Sequence, residues 1–371
     1  MEAGMNPATM VVLGGFLLAL VFGFVANRAN FCTMGAISDV YNMGHWGRMR
    51  MWLLAIAVAI IGASLLHGLG LVDLGKSIYP RPRLAWLSTI VGGLLFGVGM
   101  TLAGGCANKN LLRIGNGSVR SIVVFVFLGV AAYMTIKGLF GQWRVAYLDR
   151  FALDLAAYGL QGQDLPTLLA KATGMSAKAA LGAVAAVIAG ALLVFVFMDA
   201  RFRANLTQVV AGVIIGLVVT GGWYVSGHLG YVESQELEMV FVATNTRAAE
   251  SLSFVAPIAY TMELLMLWTD ASLRVTFGIA SALGVIVGSM AWALASKQFR
   301  LEGFVSSADT RDHIVGAILM GFGGVTALGC TIGQGITGVS TLAVGSLLAI
   351  ASIVAGSVAT MKYMLWREER G

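Results

Sequence analysis

Charged residues are scarce in this chain. Only 11% of its 371 residues are Asp, Glu, Lys or Arg, whereas soluble domains carry about a quarter. Hydrophobic residues make up 58%, and the mean hydropathy is +0.84. This composition excludes an ordinary soluble domain and predicts an all-α polytopic membrane protein. The net charge of +6 is therefore assigned to loops that set membrane topology, and we expect no nucleic-acid partner.

Cysteine and several catalytic motifs are also rare or absent. The three cysteines form no Cys-x-x-Cys pair, so structural disulfides and cysteine-type zinc sites are not expected. The four histidines show no ligand spacing, and we expect no metal and no cofactor. No Gly-x-x-x-x-Gly-Lys-Ser/Thr motif occurs, which disfavours direct use of ATP. Apart from Glu263, carboxylates are missing from the interiors of the predicted spans, which disfavours a proton relay or sodium site.

Long apolar runs divide the chain into nine predicted transmembrane helices, each close to the ~20 residues that cross a bilayer. They lie near 8–27, 50–70, 84–104, 118–139, 177–198, 206–226, 273–295, 313–329 and 342–363. Four shorter apolar stretches are predicted to be re-entrant helices, near 31–43, 106–115, 254–268 and 331–340. Irregular backbone at membrane depth requires surrounding protein or a water-filled cavity.

Two of the cysteines occupy equivalent places in an internal repeat. The segment 91–106 aligns without a gap with 315–330, and four glycines coincide. Cys330 thus follows Cys106 by 224 positions (330 − 106). Duplicated, glycine-interrupted apolar segments point to the binding site of a transporter. We divide the chain accordingly into a first repeat, a connector with the fifth span, and a second repeat, at 1–139, 140–205 and 206–371.

The connector determines how the two repeats are oriented. One connecting span inverts the second copy across the membrane plane, so Cys106 is predicted at the cytoplasmic side and Cys330 at the periplasmic side of a narrow waist. Most basic loops fall on one side, which predicts a periplasmic N-terminus and a cytoplasmic C-terminus. Two loops, 71–83 and 140–176, are basic although this topology places them outside.

Each cysteine lies beside a polar interruption and precedes a short apolar stretch: Cys32 follows Asn30, and Cys106 and Cys330 follow glycine. A helix that begins there directs free N–H groups at the turn, which suits an anion. The supporting candidates at these turns are Asn30, Gly105, Asn108, Lys109, Gly329, Thr331 and Gln334. The alternatives are close helix packing for the glycines, snorkelling for Lys109 and simple burial for a cysteine.

The motifs around the three cysteines resemble those of the YeeE/YedE family of sulfur-transport membrane proteins. The resemblance extends from Asn-Arg-Ala-Asn-Phe-Cys32-Thr-Met-Gly through Gly-Gly-Cys106 to Gly-Cys330-Thr-Ile-Gly-Gln-Gly. It implies an hourglass-like inner-membrane protein of nine spans and short re-entrant helices, with Cys32, Cys106 and Cys330 lining the pathway. It also implies thiosulfate uptake for sulfur assimilation, and a separate cytoplasmic TusA-like sulfur carrier as a partner.

Thiosulfate fits these residues chemically. It is a soft, sulfur-ended dianion, and protonated thiols donate weak S–H bonds to sulfur. Three alternatives stay open at this point. The chain could be a thiol-dependent sulfurtransferase or oxidoreductase, which needs a reactive cysteine. It could be a less selective small-anion channel, or a transporter of selenium compounds as in other branches of the family. We favour a transporter over an enzyme.

Overall fold

The computed structural model describes residues 6–234 and 237–369, and the described chain is almost entirely helical. Its helices are α1 (Pro7–Arg28), α2 (Thr33–Met43), α3 (Gly47–Gly68), α4 (Trp86–Leu102), α5 (Ala107–Gly115), α6 (Val119–Lys137), α7 (Leu139–Trp143), α8 (Leu165–Thr173), α9 (Ala177–Phe197), α10 (Ala200–Ala204), α11 (Leu206–Tyr224), α12 (Val255–Met266), α13 (Phe277–Ala295), α14 (Ser307–Thr326) and α15 (Val344–Glu368).

Short elements complete the connections between these helices. Two antiparallel strand pairs join β1 (Arg83–Leu84) to β2 (Leu153–Asp154) and β3 (Tyr231–Glu233) to β4 (Met239–Phe241). Two 3₁₀ turns lie at Leu74–Lys76 and Leu155–Tyr158. Three π-helical turns lie at Arg144–Leu148, Val225–Leu229 and Gly333–Gly338.

Eight helical segments in the described residues are long and apolar enough to cross a membrane. The chain is thus a multi-pass, all-α membrane protein. The ninth predicted span, 313–329, corresponds to α14, which has 20 residues. Its first turns carry Asp309, Arg311 and Asp312, so this end is more polar than the other long helices. The rest of α14 packs against α4 and α6.

Long helices from the first half of the chain pack against long helices from the second half. Helix α1 packs on α13, and α11 packs on α3. In the same way α4 packs on α15 and α14 packs on α6. The connector helix α9 packs on α3.

Helices α4 and α14 cross at the glycines of the sequence repeat. A Cβ atom on Gly99 would lie 2.5 Å from the Gly316 carbonyl oxygen, and one on Gly316 would lie 2.6 Å from the Gly99 oxygen. Gly92 and Gly323 face each other in the same reciprocal way. The two backbones therefore touch directly, which leaves no room for a side chain at these positions.

Three of the four predicted short helices are present as α2, α5 and α12. The fourth, predicted over 331–340, contains the π-helical turn Gly333–Gly338 in place of a regular α-helix. Its bonding is irregular: the Thr337 N–H donates to the Ile332 carbonyl five residues earlier, at 3.0 Å. Glycine is a poor helix former, and three glycines lie within six residues here. The turn is entirely buried.

Candidate functional site

Cys32 lies at the break between α1 and α2. The break is made by Asn30, which adopts a left-handed conformation with φ of 53°; among residues with side chains, asparagine tolerates this conformation best. Cys32 then caps α2, and its Sγ accepts a hydrogen bond from the Gly35 N–H at 3.3 Å. Cys32 is buried, with 6% of its surface exposed.

Cys106 lies at the break between α4 and α5. Gly104, with φ of +63°, reverses the chain after α4, a conformation that glycine adopts without steric cost. The turn is closed by the Asn110 side chain, whose Nδ2 donates to the carbonyls of Gly105 at 3.0 Å and Cys106 at 3.1 Å. Cys106 is fully buried at the N-terminus of α5.

Cys330 begins the buried segment that follows α14. Leu328, with φ of 60°, makes the reversal, and the Cys330 Sγ accepts a hydrogen bond from the Gly333 N–H at 3.3 Å. This thiol is thus held as Cys32 is, by an N–H three residues further along the chain. Cys330 is fully buried, near the ring of Tyr79.

The three cysteine segments meet at one point in the interior, which we call the waist. The thiols of Cys32 and Cys106 adjoin each other. The hydroxyl of Thr331, next to Cys330 in the chain, faces the Cys106 thiol. The structure therefore joins segments that are more than 70 and more than 220 positions apart in the sequence. The N-termini of α2 and α5 both point at this cluster, which gives it a positive potential.

Several polar atoms around the waist are buried without a hydrogen-bond partner in the described chain. These include both side-chain polar atoms of Asn108, Oγ1 of Thr33, Oγ1 of Thr331 and Oε1 of Gln334. Asn108 and Thr331 are at most 1% exposed. Orphaned buried polar groups are costly, and such a group calls for an explanation.

A cavity of about 490 Å³ approaches the waist from one end of the bundle and reaches Gly329. We call it the Gly329 cavity. Its lining includes residues that follow α3, residues before and at the start of α13, and residues at the end of α14. Its charged residues are Arg81, Arg83, Arg144, Asp149 and Glu250. Asp149 is neutralised by Arg144, whose Nε lies 3.1 Å from Oδ2. The two remaining arginines favour anions.

A second cavity of about 450 Å³ approaches from the opposite end and reaches Cys32. We call it the Cys32 cavity. Its lining comes from residues that precede or begin α3, from α5 and the turns on either side of it, and from residues that follow α13. Among them are Asn30, Arg48, Lys109, Arg113, Arg300 and Glu302. Four cations face one carboxylate there. Cys106 and Cys330 line neither cavity, and both are fully buried in the interior.

The remaining predicted residues fall at different depths. Gly105 and Gly329 precede the buried cysteines, and Gly329 lines the cavity named after it. Lys109 extends into the Cys32 cavity, where its Nζ donates to Asn30 Oδ1 at 2.7 Å. Gln334 is 3% exposed, and its Nε2 donates to the Ala327 carbonyl. Its amide thereby ties the segment after Cys330 to the end of α14.

Sequence reasoning missed a buried ion pair. Asp39 on α2 is 4% exposed and forms a two-pronged pair with the Arg48 guanidinium. Since Arg48 also lines the Cys32 cavity, Asp39 fixes a cation beside the pathway. The available signal was a carboxylate inside the short apolar stretch 31–43. Glu263, which the sequence singled out, is instead paired with Lys137 at 2.6 Å and lines neither cavity.

Arg28 lies away from the waist, with its guanidinium 5.3 Å from the centre of the Trp292 ring. Within 6–234 and 237–369, no group of three or more His, Cys, Asp or Glu side chains is placed to hold a metal ion.

The chain is similar to known transporters over most of its length. The chain is 27% identical over 337 residues to the thiosulfate transporter TsuA of Escherichia coli, covering 88% of this chain and 87% of the relative. It is 26% identical over 377 residues to TsuA of Spirochaeta thermophila, covering 95% and 98%. A probable transporter of Escherichia coli, YedE, is 31% identical over 105 residues, 28% of this chain and 24% of the relative. The sulphur transport family model matches residues 28–359, and the chain therefore belongs to the sulphur transport family.

Proposed function

We propose that this protein takes up thiosulfate through a pathway that runs from the Gly329 cavity past the waist to the Cys32 cavity. One observation carries the proposal: the adjoining thiols of Cys32 and Cys106, with Thr331 beside them, lie between two cavities at opposite ends of the bundle. A membrane transporter needs such access from both sides. The transporter names of the relatives support the same function.

The residues at the waist suit the two ends of the ion differently. Thiols are soft donors that match the terminal sulfur of thiosulfate. The N–H groups at the starts of α2 and α5, with the unpartnered side chain of Asn108, suit the oxygen end. Thiol and amide donors bind anions less strongly than charged donors do. Binding at the waist therefore stays weak enough for release, which conduction requires.

The two halves are proposed to form an inverted repeat, 1–139 and 206–371, around the connector 140–205. The reciprocal contacts of Gly92 with Gly323 and of Gly99 with Gly316 support it, because they relate the halves as a twofold axis would. The hourglass-like pathway and the re-entrant character of α2, α5, α12 and Gly333–Gly338 belong to the same proposal.

We place the protein in the bacterial inner membrane, with its N-terminus in the periplasm and its C-terminus in the cytoplasm. The Gly329 cavity is then periplasmic. The two basic loops that departed from the loop-charge rule contain Arg81, Arg83 and Arg144, which all line this cavity. Anion attraction thus accounts for basic residues on the outer side. On the cytoplasmic side, a separate TusA-like carrier is proposed as the sulfur acceptor.

An enzymatic function has one observation in its favour. A thiol–disulfide oxidoreductase or sulfurtransferase needs a reactive cysteine, often with a second one in reach, and Cys32 and Cys106 adjoin each other. We rank it second because both thiols lie within a route between two cavities, and because the long relatives are named transporters.

Uptake of labelled thiosulfate by cells without sulfate or thiosulfate importers tests the proposal. We expect cells that express this protein to accumulate the label, and external thiosulfate to compete far better than external sulfate or nitrate. Cells with an empty vector are the control. Equal competition by sulfate would instead indicate an unselective anion channel. A persulfide on the purified protein, without uptake, would indicate a sulfurtransferase.

The pH dependence of this uptake should report on Glu250. Its carboxylate accepts hydrogen bonds from the Thr246 N–H at 2.8 Å and hydroxyl at 2.6 Å, and burial raises its pKa. As the pH rises through that raised pKa, Glu250 ionises and adds a negative charge to a cavity that must admit a dianion. We therefore expect the KM for thiosulfate to increase as the pH rises above the ordinary carboxyl range.

The variant Glu250→Gln should flatten this profile, because glutamine keeps an acceptor for Thr246 without titrating. Tyr79, Arg81, Arg83, Arg144, Asp149 and Tyr260 are the other ionisable groups of the cavity. Glu233→Gln, at an exposed position on β3, is the matched control and should leave the profile as in wild type. An unchanged profile in Glu250→Gln would contradict the assignment.

A further inference from the structure

Three cations in the Cys32 cavity have no carboxylate partner among the described residues. They are Lys109, Arg113 and Arg300. Lys109 donates only to the neutral amide oxygen of Asn30, at 2.7 Å. The Arg113 guanidinium lies over the turn before Cys106, where a Cβ atom on Gly104 or Gly105 would be 3.6 Å from its Nη1.

The other two charged residues of this cavity, Arg48 and Glu302, are each neutralised by a partner of opposite charge. Arg48 is bound by Asp39, and Glu302 is bound by Arg120 at 3.3 Å. Three positive charges are therefore left to face a cavity of about 450 Å³. Like charges that share a cavity repel each other strongly where water is limited. A bound dianion would relieve that repulsion.

We propose that the Cys32 cavity is a second anion site, specific for the divalent charge of inorganic oxyanions rather than for sulfur. The donors there are ammonium and guanidinium groups, which recognise oxygen atoms and bind sulfate and phosphate as readily as thiosulfate. The proposal rests on the proposed function in one respect: an ion held in this cavity occupies the exit from the waist. Sulfate or phosphate on the side of this cavity should then inhibit uptake.

Direct binding tests the site without transport. Purified protein in phosphatidylcholine nanodiscs is titrated with labelled sulfate at fixed ionic strength, with inorganic phosphate as competitor. We expect Arg113→Gln to weaken sulfate binding at least about tenfold, the effect of losing a charge-assisted hydrogen bond. Arg300→Gln, a second variant, should weaken it in the same direction. Arg311→Gln is the control, since Arg311 pairs with Asp312 and lies outside the cavity.

Each outcome decides a separate point. Equal sulfate affinity in wild type and both cavity variants, all folded by thermal melting, would overturn the second site. Weaker binding in phosphatidylglycerol nanodiscs than in phosphatidylcholine would assign the cations to a lipid headgroup and also overturn it. In proteoliposomes, sulfate on the Cys32 side should inhibit thiosulfate uptake by wild type more than by Arg113→Gln. Intact sulfate binding without thiosulfate uptake would sink the proposed function and leave the site standing.

Discussion

Cys106→Ala is expected to lower thiosulfate uptake at least about tenfold, a rise in the transport barrier of about 1.4 kcal/mol, at an unchanged level of folded protein. Cys106 is fully buried and adjoins both Cys32 and Thr331, so an ion at the waist cannot avoid it. Loss of the S–H donor raises the transport barrier by about 0.5–1 kcal/mol. The barrier rises further because the buried dianion then has one hydrogen-bond donor fewer. Initial uptake rates in importer-deficient cells, at matched membrane levels, give the measurement.

Two further variants separate chemistry from packing at this position. Cys106→Ser keeps a donor of similar size, and we expect an intermediate rate. Ser352→Ala removes one heteroatom from a comparable interior position, where the Ser352 hydroxyl donates to the Leu348 carbonyl within α15 at 2.9 Å. It should transport as wild type does. If Cys106→Ala transports at the wild-type rate, the thiol has no part in the pathway and only fills space.

Gly99→Ala is expected to destabilise the protein by about 1–3 kcal/mol, the usual cost of overpacking, and to lower its yield from membranes. The added Cβ would lie 2.5 Å from the Gly316 oxygen and 2.7 Å from the Met320 nitrogen. Both neighbours are backbone atoms, so α4 and α14 must separate to admit it. Alanine is a better helix former than glycine by about 1 kcal/mol, which offsets only part of this cost. Thermal melting in detergent, followed by size-exclusion chromatography, measures the loss.

Gly190→Ala provides the matched control for this substitution. Gly190 lies within α9, and a Cβ atom there would meet nothing within 4 Å. The same chemical change should leave the melting temperature unchanged or raise it slightly, because only helix propensity is affected. Gly316→Ala should repeat the behaviour of Gly99→Ala from the other side of the crossing. Equal melting temperatures for Gly99→Ala and Gly190→Ala would show that the two helices separate at no cost.

Much of the fold could be predicted from local patterns. A run such as 177–198 is apolar throughout and long enough to span a bilayer, and it forms α9 as predicted. For the segment 331–340, local patterns predicted a helix but not its π-helical type. Its apolar residues suggested a helix, but its glycines and its burial inside the protein allow a π-helical turn that packing stabilises. The predicted span 313–329 starts later than the observed helix α14. The observed helix begins at Ser307 and includes Asp309, Arg311 and Asp312.

The candidate site was predictable only in part. Cys106 and Cys330 were recognisable from the repeat, and Lys109 from its cost at membrane depth. Arg113 and Arg300 gave no such signal, because a loop cation normally sets topology. What distinguishes them is the lack of a carboxylate partner in a shared cavity. Asp39 and Arg48 lie nine positions apart, and their pairing depends on how α2 turns back toward the start of α3.

The sequence by itself determined that the chain lies in a membrane, where most of its helices lie, and which glycines and cysteines are repeated. These properties depend on hydropathy and on backbone preferences that act over a few residues. Only the tertiary structure decided that Cys32 adjoins Cys106, that Thr331 faces the Cys106 thiol, and that two basic cavities approach this point from opposite ends. Such contacts join residues up to hundreds of positions apart, and they arise because backbone-to-backbone crossings such as Gly99 on Gly316 fix how the helices pack.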